Sequence, residues 1–296
     1  MTCIEAWTCR LLLCQPPTNN VMPRAIVCWL FVASAFTIRA QELTFQVLDE
    51  ATEEPLPYAT LIVIGAEKGT IADSEGWIRM SADDLNRAST IKVTYLGYEP
   101  GVFKISDLQK RRSVDLKPRP IALEPVSISG KPTIIKIGNY RKSAKYTGWG
   151  DYSSQRGRVK GIVIDLADGG EPYYLQSLNF HLNHNEWDSV AFRVHLQAVQ
   201  SDKVGKSLLP ENIFFITSQQ NAWLEVDLRD YGIVLEKEVV AAIEWVDAWG
   251  DTGDSSNRMT FSLSKSSGKV FNKDVGQEFG SIDQSDLSPS IYLKVR

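Results

Sequence analysis

The chain has 296 residues, a formal net charge of -4 and a hydrophobic fraction of 43%. This length allows two domains, each with a core of its own. The small negative net charge is spread along the whole chain, which argues against nucleic acid as a partner.

The first forty residues are typical of a secretory signal peptide. An apolar run, Ala25 to Phe36, follows Arg24 and is shorter than the roughly 20 residues that a membrane anchor needs. A charged start, a short apolar middle and a small residue at Ala40 predict cleavage after that residue. Met22 stands where such leaders usually begin, so we expect translation to start there.

The cysteines of the chain all lie in this leader, so the mature protein is expected to contain no disulfide bond. They are Cys3, Cys9, Cys14 and Cys28. An exported protein without disulfides depends on packed cores for its stability. No later segment is apolar enough to cross a bilayer, and we therefore expect no transmembrane span in the mature chain.

After the leader, apolar residues recur with period two, which predicts β-strands. Leu43, Phe45 and Val47 occupy alternate positions of the first strand, and similar short strands follow. The stretch Asp73 to Gly76 predicts a hairpin turn in which the aspartate caps its own backbone and the glycine accepts a positive φ. Only Ala82 to Arg87 has a helical pattern. Short strands separated by turns predict an antiparallel sandwich.

Three motifs in this region resemble the carboxypeptidase-regulatory-like domain. They are Pro55 to Ala59, Gly69 to Gly76 and Tyr95 to Glu99, and Leu123 to Ile128 is similar to the segment that usually ends that domain. The resemblance covers residues 41–128 and implies a seven-stranded, transthyretin-like sandwich with no catalytic activity. Such domains are common in exported proteins of Bacteroidetes and precede the plug of many TonB-dependent receptors.

Residues 129–158 have a different composition and are predicted to be a linker. Cationic side chains crowd a stretch that is broken by glycines. The cations are Lys131, Lys136, Arg141, Lys142, Lys145, Arg156 and Arg158. We interpret the stretch as a solvated connection or as a first strand with exposed cations. A second interpretation is contact with anionic lipid headgroups or lipopolysaccharide.

Residues 159–296 predict a second, jelly-roll-like β-sandwich, so the fold class is all-β throughout. The predicted strands are Ile162–Leu166, Leu175–Leu182, Val190–Leu196, a buried run Ile213–Ile216, Trp223–Leu228, Val239–Trp245 and Ile291–Val295. In the third of these, Phe192, Val194 and Leu196 alternate with Arg193 and His195, which lie on the opposite face. This region resembles the uncharacterised sandwich that often follows a carboxypeptidase-regulatory-like domain, for which no activity is known.

The candidate binding site is the acidic, tryptophan-containing stretch that ends one of these strands, Glu244 to Asp254. The predicted ligand-binding residues are Trp245, Asp247, Trp249, Asp251 and Asp254. Aromatic faces beside acidic acceptors suit a sugar, and the carboxylates suit a calcium ion. The structural alternative, which loop composition favours, places Trp245 in the core and Trp249 over it, with the acids serving solubility.

No other pattern predicts catalysis, a metal or a cofactor. His181 and His184 are three apart on a predicted strand, which sends them to opposite faces, and His195 is the only other histidine. Gly205 to Ser207 copies the end of a phosphate-binding loop, but the first glycine of that motif is missing. We therefore predict no catalytic residue, no metal ligand and no cofactor.

These observations favour a non-catalytic, exported cell-envelope protein, in the periplasm or at the outer membrane. It would bind or assemble with an envelope protein or a glycan. The alternative is a carbohydrate-binding module that uses the Trp245–Trp249 loop. A third hypothesis, a hydrolase with two carboxylates from Glu244 to Asp254, is disfavoured because acids close in sequence rarely face each other across a substrate.

Overall fold

The computed structural model describes residues 42–85, 90–121, 133–149, 155–166, 172–250, 257–278 and 280–296. The predicted signal peptide, its cysteines and the predicted start at Met22 lie outside these residues. Ala40–Arg296 form one compact unit. Within the described ranges, no helix has the length and apolarity that crossing a membrane would require.

Seven strands in two sheets form the first sandwich, which confirms the predicted architecture of this region. The strands are β1 (Glu42–Asp49), β2 (Thr60–Val63), β3 (Lys68–Ile71), β4 (Trp77–Ser81), β5 (Thr90–Thr94), β6 (Gly101–Lys104) and β7 (Ser113–Leu116). One sheet has the order β4-β1-β7 and the other β3-β2-β5-β6. Strands β1 and β7 are parallel. Two single-turn helices, α1 (Ala82–Leu85) and α2 (Ile105–Leu108), complete this part.

The core of the first sandwich follows the predicted alternation. Phe45 and Val47 of β1 are fully buried, and they pack with Leu61, Ile78 and Ile91 from neighbouring strands. Burying a side chain of this size stabilises the fold by about 1.5–3 kcal/mol. The two sheets are therefore held together by the same residues that define the period-two pattern.

The predicted turn joins β3 to β4, which belong to different sheets, so the turn is confirmed but the predicted hairpin is wrong. One carboxylate oxygen of Asp73 accepts the backbone N–H groups of Glu75 (3.0 Å) and Trp77 (2.9 Å). Gly76 has φ +75°, a conformation that side chains with a Cβ rarely adopt. The Asp–Gly pair thus fixes the turn by the chemistry that the sequence predicts.

Thirteen strands follow, and every pairing among them is antiparallel. They are β8 (Ile135–Gly138), β9 (Lys145–Trp149), β10 (Val159–Ile164), β11 (Tyr173–Asn185), β12 (Ser189–Gln200), β13 (Lys203–Ser207), β14 (Phe214–Thr217), β15 (Ala222–Asp227), β16 (Val234–Leu235), β17 (Val239–Trp249), β18 (Met259–Lys273), β19 (Ser281–Pro289) and β20 (Ile291–Val295). The main order is β13-β12-β17-β10-β18-β11-β20-β8. A 3-10 turn spans Arg229–Tyr231. The all-β prediction is confirmed, and β8 and β9 lie in the stretch predicted as a linker.

An aromatic cluster forms the centre of the second core. The Trp149 ring lies 6.1 Å from that of Trp245 in a stacked arrangement and 4.8 Å from that of Phe261, edge-on. Phe180 meets Phe192 edge-to-face at 5.3 Å. Such pairs contribute about 0.5–1.5 kcal/mol each beyond their buried area. Because Trp149 belongs to β9, this strand is anchored in the core.

The predicted buried run Ile213–Ile216 is wrong at its last residue. Ile213 is buried, but the side chain of Ile216 is 62% exposed. The strand that carries it, β14, pairs with β12 alone. Successive side chains of a strand point to opposite faces of the sheet, so Ile216 lies on the face opposite Phe215, which packs against the second core.

Candidate functional site at the junction of the two sandwiches

Two strands of the second sandwich place charged side chains on the face that points away from its core. In β12, Phe192 and Val194 are buried in the core, and the alternating Arg193 and His195 lie on the other face, as predicted. Glu244 of β17 lies directly opposite Arg193 in the antiparallel register. Cross-strand neighbours share a face, so the three side chains meet there.

Arg193, Glu244 and His195 form what we call the Arg193 cluster. The guanidinium donates from Nε to Glu244 Oε2 (2.8 Å) and from Nη2 to Glu244 Oε1 (2.7 Å), a bidentate pair. His195 Nε2 lies 2.6 Å from Glu244 Oε2. The side chains of Arg193 and Glu244 are only 5% and 3% exposed. This pair is therefore removed from solvent. Removing either charge would leave the other buried without a counter-charge.

The same guanidinium reaches the first sandwich. Its Nη1 donates to the backbone carbonyl of Tyr58 (3.0 Å), and its Nη2 donates to Thr60 Oγ1 (3.1 Å). Tyr58 has φ +58°, a left-handed conformation that costs a bulky residue about 1–2 kcal/mol. The tyrosine hydroxyl in turn donates to Asp247 Oδ2 (3.1 Å). Contacts from the second sandwich thus hold Tyr58 at both its backbone and its side chain.

An apolar patch surrounds these polar contacts and contains residues from both sandwiches. It consists of Tyr58, Ile71, Ala191, Val246, Phe214 and Val275. A second arginine, Arg156, spans the junction, since its Nη2 donates to the carbonyl of Ala72 (3.0 Å) and its Nε to that of Val246 (2.9 Å). The junction therefore combines apolar burial with arginine donors that satisfy backbone carbonyls.

The surroundings of the Arg193 cluster fix its protonation. Burial by itself would raise the pKa of Glu244, but the charge of Arg193 and the hydrogen bond from His195 outweigh it and lower the pKa to about 2. Burial lowers the pKa of His195, and the hydrogen bond to Glu244 opposes that effect only in part. At neutral pH the carboxylate is ionised and the imidazole is neutral.

A cleft of about 270 Å³ opens beside this cluster, between the two sandwiches. Tyr95 from the first sandwich and Asn212, His195 and Lys273 from the second line it. Burial lowers the pKa of Lys273, whereas the nearby Glu244 opposes this effect. Lys273 forms no salt bridge with any carboxylate in the described ranges. The cleft offers hydrogen-bond donors and cationic groups to a small polar ligand.

The predicted ligand-binding residues are only partly brought together. Trp245 is completely buried, stacks on Trp149 and donates from Nε1 to the carbonyl of Asp247 (2.9 Å). Asp247 is 7% exposed and Trp249 is 39% exposed. Trp245 therefore offers no open face for a sugar. Asp251 and Asp254 lie outside the described residues, and ligand binding by this loop stays a prediction.

A β-bulge explains why Asp247 faces the junction although it stands three residues after Glu244. The pairing of β17 with β12 shifts between Ala191 and Phe192, which oppose Asp247 and Trp245. The extra residue, Val246, reverses the alternation and brings Asp247 back to the face of Glu244. Sequence periodicity gave no sign of this bulge, so reasoning from the sequence missed the junction.

The prediction that His181 and His184 point to opposite faces is wrong, because the pairing of β11 with β18 shifts between Leu182 and His184 and interrupts the alternation. His181 is buried and its Nδ1 lies 2.8 Å from Ser262 Oγ, whereas the side chain of His184 is 53% exposed and pairs with Glu186. Burial lowers the pKa of His181, and the positive charge of Lys142 adds to this effect. The described residues contain no group of three or more histidine, cysteine or acidic side chains that could hold a metal ion.

Comparison with known families concerns the first sandwich. The matching family model is described as the CarboxypepD_reg-like domain. Residues 44–128 match it. The match contains all three motifs and most of the seven strands, and it supports a non-catalytic β-sandwich module. No curated protein matches the chain. The origin of the chain and the resemblance of its second sandwich to a known domain stay predictions.

Proposed function

We propose that this chain is an exported cell-envelope protein that acts as a binding or assembly module and catalyses no reaction. The observation that carries this proposal is the Arg193 cluster. Its bidentate ion pair and its contacts with Tyr58 and Thr60 commit the charged groups of the junction to structure. They attach the CarboxypepD_reg-like domain to the second sandwich, so that the two domains together offer one surface for binding.

The protonation of the cluster supports a non-catalytic role. General acid–base catalysis works best when the pKa of the catalytic group is close to the operating pH. Glu244, with a pKa of about 2, is a weak base, and the neutral imidazole of His195 directs its Nε2 to Glu244. The cleft therefore suits recognition of a ligand better than proton transfer.

The N-terminal pattern supports export. The apolar run Ala25 to Phe36, the preceding Arg24 and the absence of cysteine after Cys28 fit a protein made for the periplasm or the outer membrane. The test is fractionation of native cells followed by N-terminal sequencing. We expect the protein in the envelope fractions with a mature N-terminus near Gln41. A full-length cytoplasmic protein would contradict the proposal.

A matched control is a variant that lacks Ala25 to Phe36, which should stay in the cytoplasm. Cross-linking of the wild-type protein in the same cells should then capture an envelope partner that the control does not capture. Purified wild-type protein that turned over a substrate, with the activity abolished by Glu244→Gln, would refute the non-catalytic role.

A carbohydrate-binding function is the second candidate, and the exposure of Trp249 favours it. This ring lies 39% exposed at the end of β17 beside the acidic loop. A glycan array with the wild-type protein and the Trp249→Ala variant tests it. Binding that is lost in the variant supports the function, and an array without any signal removes it.

A further inference from the structure

The stretch Ile134–Tyr146, which includes β8 and the start of β9, carries a cationic surface. Lys136, Arg141, Lys142 and Lys145 are all exposed. The sequence contains no acidic residue between Glu124 and Asp151, so none interrupts these cations. We call the four side chains, with the exposed apolar residues described below, the basic strip.

The cations of the basic strip form no salt bridge with the described residues. None of the four lies within salt-bridge distance of a carboxylate in the described part of the chain, and Lys136 instead lies 5.1 Å from the centre of the Tyr292 ring. The nearest strand that also carries a lysine, β20, has Lys294 paired with Glu225 at 2.7 Å. Four positive charges are therefore available to an external anion, although the whole chain is negatively charged.

The backbone under these side chains is fixed. Asn139 is buried and donates from Nδ2 to the carbonyls of Ser288 (3.0 Å) and Pro289 (3.1 Å). Ser290 Oγ donates to the carbonyl of Arg141 (2.5 Å). Gly138 has φ +112°, which lets the chain leave β8 and turn over the sheet. The cations project from an ordered support, so binding does not have to order the backbone first.

Large apolar side chains stand among the cations. The exposed fractions are 58% for Ile134, 53% for Tyr140 and 61% for Tyr146. Ile135 lies opposite the core residue Val295, on the other face of β8 from Lys136, and is not part of the strip. Tyrosine has an apolar ring and a polar tip, which suits the boundary between lipid headgroups and acyl chains. Aliphatic side chains gain from burial in that boundary, whereas a nucleic acid or a free phosphate offers them no apolar environment.

We infer that the basic strip docks the protein on a membrane surface rich in anionic phospholipid headgroups. The cations contact headgroup phosphates, and Ile134, Tyr140 and Tyr146 enter the outer part of the apolar layer. This inference rests on the proposed envelope location, because a membrane of this kind must be within reach. It names the partner of one surface, and the cleft beside the Arg193 cluster stays free for a different ligand.

Sedimentation with vesicles tests the inference on the purified protein. The vesicles contain either phosphatidylcholine alone or phosphatidylcholine with about one third phosphatidylglycerol. Because each cation near an anionic surface contributes about fivefold in partitioning, the quadruple change Lys136→Gln, Arg141→Gln, Lys142→Gln and Lys145→Gln should weaken binding to the anionic vesicles several hundredfold. Raising the ionic strength from about 0.1 M to about 1 M should also release the wild-type protein.

The first sandwich offers a matched control with the same change in charge. Four of its exposed cations, Lys104, Lys110, Arg111 and Arg112, serve for this purpose. Changing these to glutamine should leave vesicle binding within about twofold of wild type. A further variant, Tyr140→Ser with Tyr146→Ser, should bind more weakly but keep the salt dependence. Melting temperatures of all variants show whether they fold.

Three results would overturn the inference: no binding to anionic vesicles, equal binding to neutral vesicles, or equal losses in the two quadruple variants. The outcome is separate from that of the proposed function. If the protein is found in the envelope but does not bind the vesicles, only the proposal that the basic strip is a docking surface is refuted. If the protein binds vesicles but stays in the cytoplasm with an intact N-terminus, the proposed location is refuted.

Discussion

Replacing Glu244 by glutamine should destabilise the protein by about 3–5 kcal/mol. The change leaves the buried guanidinium of Arg193 without its counter-charge, and breaking a buried ion pair by removing one partner typically costs that amount. The lowered pKa of Glu244 has the same sign, because the charge of Arg193 and the hydrogen bond from His195 favour the ionised carboxylate over the neutral one.

Urea unfolding followed by tryptophan fluorescence measures this loss. The control is Glu225→Gln, which removes a carboxylate of the same type from a surface pair with Lys294. Glu225 is 49% exposed, so its loss should cost less than about 1 kcal/mol. A double variant, Arg193→Met with Glu244→Gln, should recover part of the stability lost in Glu244→Gln, because no charge is then left unpaired.

The reasoning fails if Glu244→Gln unfolds within about 1 kcal/mol of Glu225→Gln. It also fails if the two changes are additive, so that the double variant is less stable than Glu244→Gln by the full cost of Arg193→Met measured alone. In that case Arg193 would act only through its contacts with Tyr58 and Thr60.

The junction and the second core give further expected outcomes. Because burial lowers the folded-state pKa of His195 below its ordinary 6.5, the unfolded chain binds more protons below that pH, so stability should fall between about pH 7 and pH 5. Urea midpoints across this range check it, and His195→Gln should flatten the profile in part, because burial also lowers the pKa of His181. Tyr58→Phe removes the hydroxyl that donates to the buried Asp247, with an expected cost of about 1–3 kcal/mol in urea unfolding, whereas Tyr140→Phe, at an exposed position, should cost almost nothing. Trp149→Ala leaves a cavity in the aromatic cluster and should cost about 3–5 kcal/mol by thermal unfolding, and a loss below about 1 kcal/mol would mean that β9 is not anchored there.

Short-range chemistry made the first sandwich predictable. The alternation of Phe45 and Val47, the caps of Asp73 and the positive φ of Gly76 depend on residues close in sequence. The family match covers the same stretch. Here local propensity, turn chemistry and hydrophobic period agree, and a sequence with that agreement specifies its fold clearly.

Other elements depend on long-range pairing and could not be predicted from the sequence pattern. Strand β18 spans 15 residues, yet its sequence is rich in serine and lysine and was not predicted. Its backbone pairs with four other strands, β9, β10, β11 and β19. A strand between several partners can be stable with few apolar side chains of its own, because its neighbours supply the burial and the hydrogen bonds.

The candidate site also combines features that depend on residues close in sequence with features that depend on long-range contacts. Alternation in β12 placed Arg193 and His195 opposite the core, but a face that points away from one core usually meets water. Only the folded chain shows that the first sandwich covers this face and that the bulge at Val246 turns Asp247 toward Tyr58.

The sequence by itself determined the all-β class, the alternation of Phe45 and Val47 in the first strand and the turn from Asp73 to Gly76, because these follow from local periodicity and turn residues. The number of strands in the first sandwich came from the family resemblance. The tertiary structure alone decided which faces meet. Segments far apart in sequence, such as Tyr58 and Arg193, come together only when both sandwiches are formed. Because the junction buries Arg193 and Glu244, each of these two charges depends on the other as its counter-charge.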